Sequence, residues 1–120
     1  MTDRPADLIL KTTDMAATLE WYGRVGFEVR ARVPADGVPT WCELVRDSTA
    51  IQFLAGETPW PGPPALTGCL YVRPPSVDAV FAAVKDSVPT EWGVEERSWG
   101  ARELTLRDPN GYYVTFTEPS

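Results

Sequence analysis

The sequence contains a long-range internal repeat, and this repeat restricts the possible fold more than any other feature. The segment Glu43–Asp47 (ELVRD) recurs as Glu103–Asp108 (ELTLRD), in each case leading into a predicted hairpin. The apolar stripe of one predicted helix also maps onto that of a second at a constant offset of 62 residues, with Met15, Leu19 and Tyr22 corresponding to Val77, Phe81 and Val84. Two aligned features of this kind predict a chain built from two related modules.

Both halves of the chain have the predicted element order β-α-β-β-β. In the first half, short apolar and alternating runs predict strands at 8–12, 27–33, 40–46 and 49–54. In the second half, the same patterns predict strands at 68–73, 91–97, 102–107 and 112–117. A helix follows the first strand of each half. The first helix is expected to be capped by Thr13 or Asp14 and to stop at Gly26, and the second follows Pro74-Pro75-Ser76.

A segment rich in proline and glycine, residues 57–66, separates halves at about 1–56 and 67–120. Such a segment continues neither helix nor strand, so we predict a connector there. The length suits one domain over residues 1–120 rather than two independent ones. We predict an α+β fold in which two βαβββ modules form a curved mixed sheet with helices on its convex face.

Alternation along the strands separates two sheet faces of different character. One face is apolar and needs the helices to cover it; it comprises Leu8, Leu10, Leu44, Ile51, Phe53, Leu70, Val72, Leu104, Leu106, Val114 and Phe116. The other is mixed; it comprises Ile9, Lys11, Trp41, Glu43, Gln52, Leu54, Cys69, Tyr71, Arg73, Thr105, Tyr113 and Thr115. A mixed face is either partly solvated or lines a ligand cavity, and the aromatic side chains favour the cavity.

Composition and charge argue against several classes of protein. The net charge is -6 with no cluster of Lys or Arg, so nucleic acid is not an expected partner. No apolar run reaches the roughly 20 residues of a membrane helix, and the start shows no secretory pattern. We therefore expect no membrane partner and a cytoplasmic location. In that reducing compartment, Cys42 and Cys69 are expected to be half-buried free thiols.

Two motifs carry a resemblance to a known family. They are residues 14–27 (DMAATLEWYGRVGF) and the more specific ending at 99–111 (WGARELTLRDPNG). With the paired βαβββ order, they resemble the glyoxalase/bleomycin resistance/dioxygenase (vicinal oxygen chelate) superfamily over nearly the whole chain, and its bleomycin-resistance branch most. The resemblance implies a bacterial antibiotic-resistance protein that sequesters a drug without transforming it, in clefts shared across a homodimer.

The resemblance also locates the positions at which metal-dependent members of the superfamily hold their ion. These positions fall near Asp7, Gln52, Cys69 and Thr115, of which only Asp7 and Cys69 offer usable ligand atoms. A catalytic metal needs about three good protein ligands, and the sequence contains no histidine. We therefore expect no metal, no other cofactor and no catalytic residue, so that binding is favoured over catalysis.

The leading hypothesis is a metal-independent homodimer that binds a planar aromatic natural product or antibiotic. The aromatic side chains predicted to stack on or enclose this ligand are Trp41, Trp60, Tyr71, Trp92, Trp99 and Tyr113. The polar side chains predicted to orient it are Glu43, Gln52, Arg73 and Thr115. For Trp60 and Trp99, which lie in predicted loops, ligand contact and a dimer interface are both open. Trp21, beside the first helix stripe, is expected to pack in the core.

Two enzyme hypotheses stand beside this one. The first is a lyase, isomerase or dioxygenase of the same superfamily with an atypical metal site. The second is a metal-free enzyme that uses Glu43 or Glu103 as a base. Against the second, these glutamates and the pair Glu95-Glu96 are expected to be hydrated strand-edge carboxylates, as exposed glutamates usually are.

Overall fold

The helices and strands form two modules with the same order of elements. A computed structural model describes residues 6–120 of the chain. The first module contains β1 (Ile9–Thr12), α1 (Met15–Arg24), β2 (Glu28–Val33), β3 (Trp41–Arg46) and β4 (Thr49–Ala55). The second module contains β5 (Cys69–Val72), α2 (Val77–Val84), β6 (Thr90–Arg97), β7 (Ala101–Arg107) and β8 (Tyr113–Pro119). The element order predicted from the sequence is confirmed, with strand ends shifted by at most two residues.

Both helices begin at a side-chain cap. The Asp14 carboxylate accepts a hydrogen bond from the N–H of Ala17 at 3.0 Å, and the Ser76 hydroxyl accepts one from Ala79 at 3.1 Å. Each cap pairs an N–H group that the first helical turn leaves without an intrahelical partner. Of the two caps predicted for α1, the structure therefore uses Asp14 rather than Thr13.

The chain turns away from α1 at Gly26, as predicted. Gly26 has a φ of +96°, a conformation that side chains with a Cβ rarely adopt. A Cβ at this position would lie 2.7 Å from Nε of Arg46. That Nε donates a hydrogen bond to the Val25 carbonyl at 2.8 Å, so the arginine is held against the turn. Both backbone conformation and close packing therefore require glycine here.

Each module has its own four-stranded mixed sheet. The strand order is β1-β4-β3-β2 in the first sheet and β5-β8-β7-β6 in the second sheet. In both, the first strand of the module runs parallel to the last strand, and the other neighbours are antiparallel. α1 packs against strands of the first sheet and α2 against strands of the second. The predicted α+β class with two βαβββ modules is confirmed, with one sheet in each module.

A single apolar core lies on the helix side of the two sheets, and its largest side chains come from both modules. Every residue predicted for the apolar face is buried except Leu8, which is 41% exposed because it precedes the first paired residue of β1. Trp21 is buried, as predicted. The prediction of two half-buried thiols is wrong, since Cys42 points into the core and Cys69 is exposed on an edge strand.

The turn after β7 joins the two modules. The hydroxyl of Tyr22 on α1 donates to the Asp108 carboxylate at 2.7 Å, and the hydroxyl of Thr12 donates to the Asn110 side chain at 2.6 Å. Asp108 also accepts the backbone N–H groups of Asn110 and Tyr112, at 2.9 and 2.8 Å. A turn that the sequence indicates only as a hairpin therefore also fixes the second module against the first.

Candidate functional site

Each sheet has a second face, opposite the core, on which neither α1 nor α2 packs; we call these the first and second open faces. Alternation from the buried strand residues places the predicted ligand-binding residues on them. The first open face carries Trp41, Glu43 and Gln52, and the second carries Tyr71, Arg73, Trp92, Tyr113 and Thr115. Within one chain, the structure therefore separates the predicted residues into two groups on two sheets.

On the first open face, the predicted residues are partly engaged with one another and with the protein. The indole N–H of Trp41 donates to the side-chain oxygen of Gln52 at 3.0 Å. Arg30 forms an ion pair with Glu43 at 3.0 Å. The bond from Trp41 holds its ring beside Gln52, and the charge of Glu43 is offset by Arg30. This face thus presents a half-buried indole that is held beside Gln52, and a carboxylate that is paired with an arginine.

Trp60, on the connector, lies at the edge of the first open face. The Nζ of Lys11 donates to the Trp60 carbonyl at 2.8 Å and also to the carbonyl of Gly62. A cavity of about 260 Å³ lies between β1 and the connector, with Ile9, Lys11 and Trp60 in its lining. The lysine therefore ties the proline-rich connector to β1 and places an exposed tryptophan beside the sheet.

The second open face is the more aromatic of the two. The rings of Trp92 and Tyr113 are stacked, with centroids 5.4 Å apart and an interplanar angle of 20°. Trp92, Tyr71 and Trp99 are exposed by 49%, 42% and 66% respectively. Thr115 is buried, and its hydroxyl pairs with that of Thr105 at 2.9 Å. Thr115 therefore contributes to the floor of this face, whereas the aromatic rings form its surface.

Glu103 lies at the centre of a hydrogen-bonded cluster on the second open face. Its carboxylate accepts the hydroxyl of Tyr71, the hydroxyl of Thr117 at 3.0 Å and the indole N–H of Trp99 at 3.3 Å. Arg97 lies 3.6 Å away as an ion-pair partner. The prediction that Glu103 is a hydrated strand-edge carboxylate is wrong, because the residue is only 4% exposed. The register of β7 and β8 places it opposite Thr117, in the interior of the sheet.

The environment of Glu103 keeps it ionised. Burial raises the pKa of the carboxyl, but the hydrogen bonds from Tyr71, Thr117 and Trp99 and the charge of Arg97 outweigh burial, so the pKa lies below its ordinary value. A carboxylate with a low pKa and several donors already bound is a weak proton acceptor near neutral pH. The arrangement suits Glu103 to holding Tyr71 and Trp99 in place.

The residues at the positions of the superfamily's metal ligands do not fit a transition-metal site. Gln52 and Thr115 offer an amide and a hydroxyl, which are weak ligands for such ions, and both are bonded to neighbouring side chains. Cys69 is exposed on the second sheet, whereas Asp7 precedes the first. Across residues 6–120, no three His, Cys, Asp or Glu side chains are grouped as a metal site would require.

A further cavity of about 360 Å³ lies at the end of the second open face where β5 and β8 finish, with Tyr71, Arg73, Gly100 and Thr117 in its lining. This volume is within the range of small-molecule sites in proteins. Arg97, Arg107 and Thr117 were missed from the sequence as members of this face. The sequence held a signal for Arg107 and Thr117, because Asn110-Gly111 favours a tight hairpin between β7 and β8. In that hairpin Arg107 pairs with Tyr113, and Thr117 lies opposite Glu103.

The two mixed sheets, their modular repeat and their aromatic open faces define a two-module βαβββ protein of the vicinal oxygen chelate type. The chain belongs to the glyoxalase/bleomycin resistance protein/dioxygenase superfamily, whose sequence profile matches residues 5–116. The resemblance seen in the sequence is thereby confirmed. No functionally curated protein sequence matches the chain significantly. Within the described residues, no helix has the length and apolar character needed to cross a membrane.

Several solved structures share this fold over their whole length. TioX from Micromonospora sp. ML1 is 22% identical with a TM-score of 0.77, covering 98% of this chain and 97% of its own. A bleomycin-binding protein complexed with bleomycin is 23% identical with a TM-score of 0.74, covering 99% and 100%. TnmS3, an antibiotic-binding protein from Streptomyces sp. CB03234, is 22% identical with a TM-score of 0.72, covering 100% of both chains. At these identities, the likeness establishes the fold.

Proposed function

We propose that this chain is a metal-independent binding protein that sequesters a planar aromatic natural product or antibiotic in clefts of a homodimer, and so confers resistance on its host. The supporting observation is the second open face, where Trp92, Tyr71 and Trp99 are exposed rather than packed in the core. Aromatic rings stack on flat ligands with favourable geometry. The hydrogen bonds to Glu103 and the stack on Tyr113 hold these rings in position before any ligand arrives.

Homodimer formation is supported by the separation of the two open faces. Each face is a single wall, and a wall becomes a cleft only when a second surface lies opposite it. Apolar side chains are exposed near both walls, including Val33 on β2 and Trp92 on β6. Pairing the first open face of one chain with the second open face of another would cover this surface. By the symmetry of a dimer, the same pairing would form two equivalent clefts.

Affinity for a flat ligand would come mainly from removing apolar surface from water. Burying about 300 Å² of apolar surface would contribute roughly 7 kcal/mol before the costs of association are subtracted. Three structural relatives are described as bleomycin-binding, bleomycin-resistance or antibiotic-binding proteins, which supports this ligand class. The low pKa and the bound donors of Glu103 favour binding over a metal-free reaction that uses this residue as a base.

A fluorescence titration tests the proposal. Daunorubicin, bleomycin and anthraquinone-2-carboxylate are titrated into the protein while tryptophan emission and melting temperature are followed. We expect at least one compound to quench emission at one molecule per chain, to raise the melting temperature and to be recovered unchanged. Trp92→Ala should weaken binding at least about tenfold, because an aromatic stacking partner contributes on the order of 1 kcal/mol or more beyond its buried area.

The matched control is Lys85→Ala, which truncates an exposed side chain at the end of α2, away from the open faces. It should bind like the unaltered protein. Absence of quenching and of any thermal shift across the compounds would contradict sequestration. Conversion of the bound compound would instead establish an enzyme. Expression in a sensitive bacterial strain should raise the inhibitory concentration of the compound that binds, and Trp92→Ala should lower it again.

A further inference from the structure

Two arginines of the second open face have no acidic partner among residues 6–120. Of the eight arginines between residues 6 and 120, five form ion pairs: Arg24, Arg30, Arg46, Arg97 and Arg102. Arg32 donates instead to backbone carbonyls. Arg73 and Arg107 form no hydrogen bond or ion pair with any described residue. This is notable in a chain with 17 acidic and 11 basic residues, where carboxylate partners are plentiful.

Both of these arginines lie over an aromatic ring of the same face. The guanidinium carbon of Arg73 is 5.5 Å from the ring centroid of Tyr71, and that of Arg107 is 5.4 Å from the centroid of Tyr113. Such cation–π contacts hold a guanidinium while leaving its N–H donors available. Arg97 also lies near a ring, that of Trp99, but its charge is offset by acidic partners. Arg73 and Arg107 are therefore positioned positive charges with unused donors.

The two arginines lie at opposite ends of the second open face. Arg107 pairs with Tyr113 at one end of β8, whereas Arg73 follows Val72, whose partner is Phe116. The two arginines are therefore offset by about four residues along the strands, or about 13 Å at roughly 3.3 Å per residue. They are also roughly 10 Å apart across the sheet, because β8 lies between β5 and β7. Tyr71 pairs with Thr115, and Trp92 pairs with Thr105, which is itself the partner of Thr115. Measured along the strands, these two exposed rings therefore lie at a level between the two guanidinium groups.

We infer that the ligand bound under the proposed function is a planar aromatic acid. Its rings lie on the aromatic side chains of the second open face, and its carboxylate or phenolate binds Arg107 or Arg73. The inference rests on the proposed function and narrows its ligand class. A planar carboxylate fits the paired N–H donors of a guanidinium better than it fits a point charge. The overall charge of -6 favours cationic ligands in general. At the second open face, however, Arg73 and Arg107 favour an anionic ligand over a cationic one.

The experiment compares two probes of nearly the same shape, the anion anthraquinone-2-carboxylate and the neutral anthraquinone-2-carboxamide, by tryptophan quenching at pH 7. We expect the unaltered protein to bind the carboxylate at least about tenfold more tightly, as one charge-assisted hydrogen bond would allow. Raising NaCl from 50 to 500 mM should weaken only carboxylate binding. The double variant Arg73→Gln/Arg107→Gln should lose the preference while binding the carboxamide within about twofold. Arg24→Gln, on the exposed surface of α1, is the control and should keep the preference.

The outcomes separate this inference from the proposed function. If the unaltered protein binds both probes equally, or prefers the carboxamide, the inference is wrong and the proposed function stands. If the double variant keeps the preference, the arginines do not select the acid. If it becomes monomeric by sedimentation and loses both probes, the arginines are interface residues and the inference is again wrong. If neither probe nor any compound of the antibiotic titration binds, both proposals fail. The comparison of probes in the unaltered protein needs no variant to fold.

Discussion

Removing the hydroxyl of Tyr22 should destabilise the protein by weakening the contact between its two modules. Tyr22 is fully buried and donates to the Asp108 carboxylate at 2.7 Å. In Tyr22→Phe, the nearest remaining donor to that oxygen is the side-chain nitrogen of Asn110, at 3.5 Å. Weakening a buried hydrogen bond to a charged acceptor costs about 1.5–3 kcal/mol. For a chain of this size, that corresponds to a melting temperature lowered by roughly 6–12 °C.

The loss of stability caused by Tyr22→Phe should depend on pH. Burial raises the pKa of Asp108 above its ordinary value, and the hydrogen bonds from Tyr22 and from the N–H groups of Tyr112 and Asn110 only partly oppose this. A carboxyl whose pKa is raised by folding stabilises the folded state most at a pH below its unfolded pKa of about 4. This stabilisation is lost as the pH rises through the folded pKa. Loss of the hydroxyl raises that pKa further. The cost of Tyr22→Phe should therefore be smaller at pH 4, where Asp108 is more protonated, than at pH 7.

Urea unfolding of both proteins at pH 4 and pH 7, followed by far-UV circular dichroism, measures this difference. Tyr113→Phe is the matched control, because the Tyr113 hydroxyl makes no hydrogen bond to any described residue. Its cost should stay within about 0.5 kcal/mol. Equal costs for the two variants, or a Tyr22→Phe cost that does not change between the two pH values, would refute the role assigned to the Asp108 contact.

Three further substitutions have predictable results. Gly26→Ala should lower the free energy of unfolding by about 1–3 kcal/mol, because a Cβ would meet Arg46 at 2.7 Å and φ is +96°; unchanged urea stability would contradict this. Glu103→Gln should cost about 1–3 kcal/mol and weaken ligand binding, because the neutral amide loses the ion pair with Arg97 and accepts the hydrogen bonds from Tyr71 and Trp99 less strongly than a carboxylate does; unaltered affinity by fluorescence would show that the cluster does not organise the site. Lys11→Met should release the connector and speed proteolysis near Trp60, and an unchanged cleavage rate, measured by mass spectrometry, would contradict the tether.

Most of the fold is predictable from local patterns. Alternation identified the core face because buried strand residues follow a period of two, and only Leu8, outside the ladder, departed from it. Gly26 and a cap at Thr13 or Asp14 were recognised because helix ends have strong local requirements. The repeat then predicted the second module from the first. These features depend on residues close in sequence, or on one pattern used twice.

The interior of the site was harder to predict, because it depends on contacts between distant residues. Glu103 resembles an exposed strand carboxylate in sequence, and only the approach of Tyr71, 32 residues away, and of Trp99 and Thr117 makes its burial favourable. Asp108 was assigned to a turn, which is correct. Its bond to Tyr22, 86 residues away, depends on how the modules pack. Whether an arginine lacks an acidic partner also follows from the whole fold rather than from its neighbours.

The most direct test of whether the open faces bind a flat ligand is an NMR titration with the tightest-binding compound. The titration follows the indole ¹⁵N–¹H signals of the five tryptophans. Trp92 and Trp99 are exposed on or beside the second open face, whereas Trp21 is in the core. We expect the signals of Trp92 and Trp99 to shift until one ligand is bound per chain, while that of Trp21 stays in place. Saturation without a shift at Trp92 and Trp99, or a shift confined to Trp21, would contradict binding at the open faces.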